Sequence, residues 1–151
     1  MFSNPSREQI EARLASARVI AVVGLSDDPA RTSHGVAAAM QRFGYRTIPV
    51  NPRIRSALGE PAMPSLSAAQ ESLADAESID IVNVFRRPEH VAGIVDDCIA
   101  LGVPAIWLQD GVIDERAAAR ARAAGLFVVM DRCIFRDRAR MLAPIHKKRP
   151  A

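Results

Sequence analysis

Residues 18–35, RVIAVVGLSDDPARTSHG, constrain the fold more than any other stretch: an apolar run breaks at one glycine into a small, polar loop before a helical pattern begins. Val19, Ile20, Val22 and Val23 favour extended backbone and leave no polar face, as a strand buried on both sides of a parallel sheet requires. Gly24 ends that strand, and the segment from Leu25 to Gly35 supplies turn-forming, capping and donor side chains ahead of VAAAMQRFG. A strand, a loop and a helix in this order set free backbone N–H groups and the positive end of a helix dipole at the strand's carboxyl end. That arrangement favours an anion.

The same rhythm recurs along the chain. Ser6 to Ala17 reads as a surface helix with Ser6 as N-cap and Ile10 and Leu14 on one face. Val36, Met40 and Phe43 mark the helix after the loop, and Gly44 stops it. Arg46 to Val50 is a second strand whose ladder is expected to end at Pro49, which donates no hydrogen bond. The segment 51–67 is rich in turn residues, and SLSAAQESLADAES holds one short helix. Ile79 to Phe85 is the third strand. Pro88 to Leu101 is a helix with Val91, Ile94, Val95, Cys98 and Ile99 on one stripe, closed by Gly102. Ala105 to Leu108 is the fourth strand, followed by a loop of Gln109, Asp110 and Gly111. Asp114 caps an alanine-rich helix that Gly125 ends, Leu126 to Met130 is the fifth strand, 131–142 is a last helix, and 143–151 is a basic tail.

Alternating strands and helices of this kind predict an α/β, Rossmann-like three-layer fold: a five-stranded parallel sheet with helices on both faces. The expected strand order is 3-2-1-4-5, with the switch point between strands 1 and 4. Ligands of such sheets bind outside the strands' carboxyl ends, so the candidate site comprises the loops that start at Gly24, Asn51, Phe85 and Gln109.

A chain of 151 residues, 49% hydrophobic, is expected to fold as one domain over 1–151 with a core that needs no staples. Cys98 and Cys133 are far apart and fit neither a disulfide framework nor a zinc pattern. Cys98 belongs to the core; Cys133 is read as structural, although an exposed place at a helix start would favour its thiolate. Trp107 is expected between sheet and helix, and His34 and His90 at the surface. The N-terminal MFSNPSREQIEARLAS has no apolar stretch, and no run approaches the roughly 18 apolar residues of a membrane span, so a cytoplasmic protein without a membrane partner is expected. A net charge of +3 without a long basic run suits a phosphorylated small molecule better than nucleic acid. No paired carboxylates, metal-ligand spacing or nucleophile with a base stand out, so no catalytic or metal-binding residue is assigned and no enzyme is expected.

A dinucleotide site would show G-x-G-x-x-G after the first strand and an acidic residue ending the second. This chain has Gly24 and no further glycine until Gly35, and its second strand ends Val50, Asn51, Pro52, Arg53. An amide followed by Arg53 and Arg55 points away from NAD and toward a phosphorylated ribose, as in NADP or coenzyme A. The stretches VVGLSDDPARTSHGV, GYRTIPVNP, VNVFRRPE, WLQDGV and VVMDRC, in this order, resemble the small stand-alone CoA-binding proteins, whose domain is similar to that of the succinyl-CoA synthetase α subunit. The resemblance runs from Ile20 to Leu142. It implies a CoA or acyl-CoA ligand, with the pyrophosphate at Gly24, Ser26, Arg31 and Ser33. It implies the 3′-phosphate side near Asn51, Pro52 and Arg53, and the remainder against Phe85, Arg86, Pro88, Gln109 and Gly111. Asp110 stands where the family is usually apolar, and Asp137 and Arg138 where a Glu-His pair is common. The role implied is a sensor, carrier or accessory subunit, with an unidentified protein partner. The alternatives are an NADP-dependent oxidoreductase and a nucleotide-responsive regulatory module.

Overall fold

The computed structural model describes residues 1–141; Leu142 and the basic tail expected at 143–151 lie outside the described residues. The main sheet is built from β1 (Val19–Val23), β2 (Arg46–Val50), β5 (Ile81–Val84), β6 (Ala105–Leu108) and β7 (Phe127–Val129). Between β2 and β5 come β3 (Ser56–Ala57) and β4 (Glu60–Pro61), a two-stranded antiparallel hairpin that the turn-rich sequence conceals. The helices are α1 (Arg7–Ser16), α2 (Thr32–Arg42), α3 (Leu66–Glu71), α4 (Val91–Leu101), α5 (Glu115–Ala123) and α6 (Ile134–Ala139).

Alternation along the strands divides the core. Val19, Ala21 and Val23 face a cluster completed by residues of α3, α4 and α5, whereas Ile20 and Val22 face one completed by α1, α2 and α6. Every residue of β1 is buried, as its unbroken apolar run requires. Trp107 packs in the second cluster and donates its indole N–H to the Arg132 carbonyl at 2.8 Å. Ser6 caps α1 in a full capping box with Gln9, and Ile10 and Leu14 are buried beneath that helix. The Tyr45 hydroxyl donates to the Leu14 carbonyl and accepts from Arg138 Nε.

All five main strands are parallel, but their order is β2-β1-β5-β6-β7, that is 2-1-3-4-5 counted along the main strands. The third main strand lies beside the first, not outside the second, and the switch point falls between β1 and β5. Pro49 explains the correction. Its carbonyl accepts from Met63 N on the side away from β1, and the N–H and C=O of one strand residue point the same way. The missing N–H therefore faces outward, and an order with β2 in the interior would leave a neighbouring strand without a donor. Proline thus makes β2 an edge strand. Two boundaries also differ: Pro88–His90 forms a 3-10 turn ahead of α4, and α6 is shorter than expected.

Gly24 sits at the switch point with φ +90°, and a Cβ on it would lie 2.5 Å from the Phe85 carbonyl oxygen. Gly102, with φ +71°, has no neighbour within 4 Å of that position. Gly102→Ala therefore meets only the left-handed penalty of about 1–2 kcal/mol, a fall in Tm of roughly 2–8 °C at this length. Gly24→Ala is expected to lower Tm further, because backbone must also move; equal shifts for the two variants in thermal denaturation would contradict this reading.

Cys98 is fully buried, and burial together with Asp97 pushes its thiol up to about 12. With Cys133 replaced by serine, Cys98 is expected not to react with an aromatic disulfide reagent at pH 8 until denaturant is added. Rapid release of one thiol from the native variant would show that the α4 face opens.

Candidate functional site

The loop from Gly24 to Arg31 is held by its own short side chains. Ser33, in the first turn of α2, accepts from Ser26 N at 3.0 Å; Ser26 Oγ accepts from Asp28 N at 3.0 Å; and Asp28 Oδ1 accepts from Ala30 N at 2.9 Å. These are the local bonds that serine and aspartate offer a turning backbone. Ser33 is buried and its hydroxyl retains a proton to donate, whereas the Ser26 N–H is already taken. Arg31 occupies the N-cap position of α2 with no side-chain cap bond, and the first turn carries no acid. The positive end of an 11-residue helix is therefore uncompensated by the protein.

The loops after β1 and β2 are joined to one another. Gly24 N donates to the Val50 carbonyl at 2.9 Å, Asn51 Nδ2 donates to the Leu25 carbonyl at 3.0 Å, and Asn51 Oδ1 accepts from Arg53 N at 2.9 Å. On the other side, Phe85 N donates to the Val23 carbonyl at 2.9 Å, and the Cδ of Arg86 lies 3.0 Å from where a Gly24 Cβ would stand. Phe85 is half-buried against the α1–α2–α6 cluster, while Arg31, Pro52, Arg53, Arg86 and Pro88 are exposed. Among the described residues, Arg31, Arg53 and Arg86 belong to none of the ion pairs.

Gln109 and Gly111 stand apart from this group in what they do. Gln109 is buried; its Oε1 accepts from Asn83 Nδ2 at 3.2 Å and from Ile134 N at 2.9 Å, so the side chain ties β5 and β6 to the start of α6. Gly111 is exposed with φ +77°, and its N–H donates to Asp131 Oδ1 at 2.8 Å, linking the loops after β6 and β7. No sequence motif marks a role for Asn83 or Asp131. A lone amide inside the apolar strand IDIVNVF was the available sign for Asn83.

Beside that loop is a polar pocket of about 180 Å³ lined by Asp110, Asp131, Arg132, Cys133, Arg136, Asp137 and Arg140. Arg136 pairs with Asp110 at 2.6 Å, which raises the guanidinium's already high pKa. Arg132 holds buried Asp137 in a two-pronged bond of 2.6 and 2.9 Å. Cys133 is not exposed: it is the N-cap residue of the short α6, and buried. Arg138 is buried too, over the Phe43 ring at 4.7 Å. Among the described residues no helix is long and apolar enough to cross a membrane.

A family model described as a CoA binding domain matches residues 18–138. The uncharacterized protein YneT of Bacillus subtilis is 45% identical over 133 residues, spanning 88% of this chain and 94% of that protein. A solved structure of a Thermus thermophilus protein superposes with a TM-score of 0.82 at 34% identity, covering 91% of this chain and all of the other. A hypothetical protein from Pyrococcus horikoshii superposes with a TM-score of 0.81 at 29% identity, covering 95% of this chain and all of the other. The sheet, the loop before α2 and the sequence match agree, and the chain belongs to the CoA-binding-domain family.

Proposed function

We propose that this chain, folding as one unit over 1–151, binds coenzyme A or an acyl-CoA at the carboxyl ends of β1, β2 and β5 without catalysing a reaction by itself. It acts as a sensor, carrier or accessory subunit. One observation carries this reading: three exposed arginines that join no ion pair among the described residues, Arg31, Arg53 and Arg86, come from the three separate loops that follow β1, β2 and β5, the first of which leads into the uncapped, acid-free N-terminus of α2. CoA carries a pyrophosphate and a separate ribose phosphate, and arginine recognises such groups with two parallel hydrogen bonds. The pyrophosphate takes the helix end with Arg31 and Arg86, and the 3′-phosphate takes Arg53, which leads the loop after β2. Phe85, half-buried directly after β5, receives the less polar part of the ligand.

A second reading, an NADP-dependent oxidoreductase, draws on the same arginines, since NADP also bears a ribose phosphate. The single glycine of the first loop counts against it, because the dinucleotide fingerprint uses three.

Thermal denaturation with CoA, acetyl-CoA, dephospho-CoA, NAD and NADPH separates the readings. Saturation at about 100 times Kd stabilises by roughly 2.7 kcal/mol, a rise in Tm on the order of 5–10 °C. CoA is expected to give that rise and dephospho-CoA a smaller one. A response to NADPH alone would favour the oxidoreductase and sink the CoA reading.

Arg53→Ala is expected to weaken CoA by roughly 1.5–3 kcal/mol, the value of a charge-assisted hydrogen bond, and to leave dephospho-CoA nearly unchanged. Equal losses for both ligands in calorimetric titrations would remove Arg53 from the 3′-phosphate.

A further inference from the structure

Asn51 is half-buried and held at three points. Its backbone N–H donates to the Met63 carbonyl at 2.9 Å, its Nδ2 donates to the Leu25 carbonyl at 3.0 Å, and its Oδ1 accepts from Arg53 N at 2.9 Å. The first bond anchors the residue to the segment that returns from the β3–β4 hairpin. The other two use both ends of one planar amide, and they reach the two loops that supply the site's separate anion contacts. Donor and acceptor of the amide are each engaged once within the protein, which fixes its orientation between the two loops.

We propose that Asn51 is a positioning residue: its amide fixes the spacing between the loop before α2 and the loop bearing Arg53, so that two phosphate groups on one ligand are met together. This rests on the CoA reading above and reassigns Asn51 from a contact of the ligand to a clamp between the loops that contact it. The chemistry of the amide makes the role specific. Aspartate preserves an acceptor for Arg53 N but sets a carboxylate against the Leu25 carbonyl. Alanine removes both ties. Serine and threonine are too short to span the two loops.

The test compares wild type, Asn51→Asp and Asn51→Ala by calorimetric titration with CoA and with dephospho-CoA, and by amide hydrogen exchange without ligand. Asn51→Asp is expected to weaken both ligands by a similar factor, at least about fivefold for one lost hydrogen bond, while keeping the wild-type preference for CoA. Asn51→Ala is expected to weaken both and also to reduce that preference, because Arg53 is no longer held. In hydrogen exchange, the Arg53 amide is expected to stay protected in Asn51→Asp and to exchange faster in Asn51→Ala. Only a positional role yields this split between the two variants. Wild-type affinities in Asn51→Ala would overturn the proposal, and so would a loss confined to CoA in both variants, which marks direct contact with the 3′-phosphate. If wild type binds neither ligand, the CoA reading itself fails, a result distinct from either of these. Thermal melts of the three proteins show whether each variant is folded at the titration temperature.

Discussion

The approach of β1 to β5 at their carboxyl ends governs the layout of this molecule. Gly24 turns with a positive φ directly over the Phe85 carbonyl, in a space where no side chain can stand. Because the chain leaves β1 so close to β5, the loop that follows passes over the strand ends before α2 begins. Three consequences share that origin. The N-terminus of α2 opens onto the switch point of the sheet, the stem of Arg86 lies against the glycine, and the loop before α2 comes within reach of Asn51 on its other side. A wider turn would separate these groups.

Much of this was legible in the sequence because burial imposes strict patterns. The strand runs, the glycines that stop α2, α4 and α5, and the caps at Ser6 and Asp114 all correspond to observed elements. The strand order differs from the one the strand–helix rhythm suggests, and Pro49 holds the information that decides it. Pro49 does not end the ladder, which runs on to Val50 beside β1; its missing donor instead decides which side of the strand can accept a neighbour. The β3–β4 hairpin was hidden for the opposite reason: two-residue strands among prolines and glycine leave no periodicity to detect.

Gln109 shows how strand alternation directs a side chain beyond the end of a strand. Side chains alternate along a strand, and Gln109, directly after β6, continues the face of Ala105 and Trp107. With Trp107 buried on that face, Gln109 follows it inward and meets Asn83. The departures at Asp110 and Asp137 are explained in the same local terms, since each carboxylate is matched by an arginine of α6 or of the turn before it. Charge introduced at these positions is balanced within the segment.

The two outer strands of the sheet end differently from its inner ones. Beside β2, Met63 bonds Pro49 and Asn51 and takes up the backbone groups on that margin. Beyond β7, the Asn4 side chain both accepts from Met130 N at 2.8 Å and donates to the Met130 carbonyl at 2.9 Å. A single amide thus imitates the next strand at one residue, and the segment behind it is fastened by Arg122 to the Ser3 carbonyl at 2.7 Å. Exposed strand margins are templates on which another chain can add. With one margin met by a proline and a methionine and the other by a borrowed amide, joining two copies edge to edge would first require breaking native hydrogen bonds.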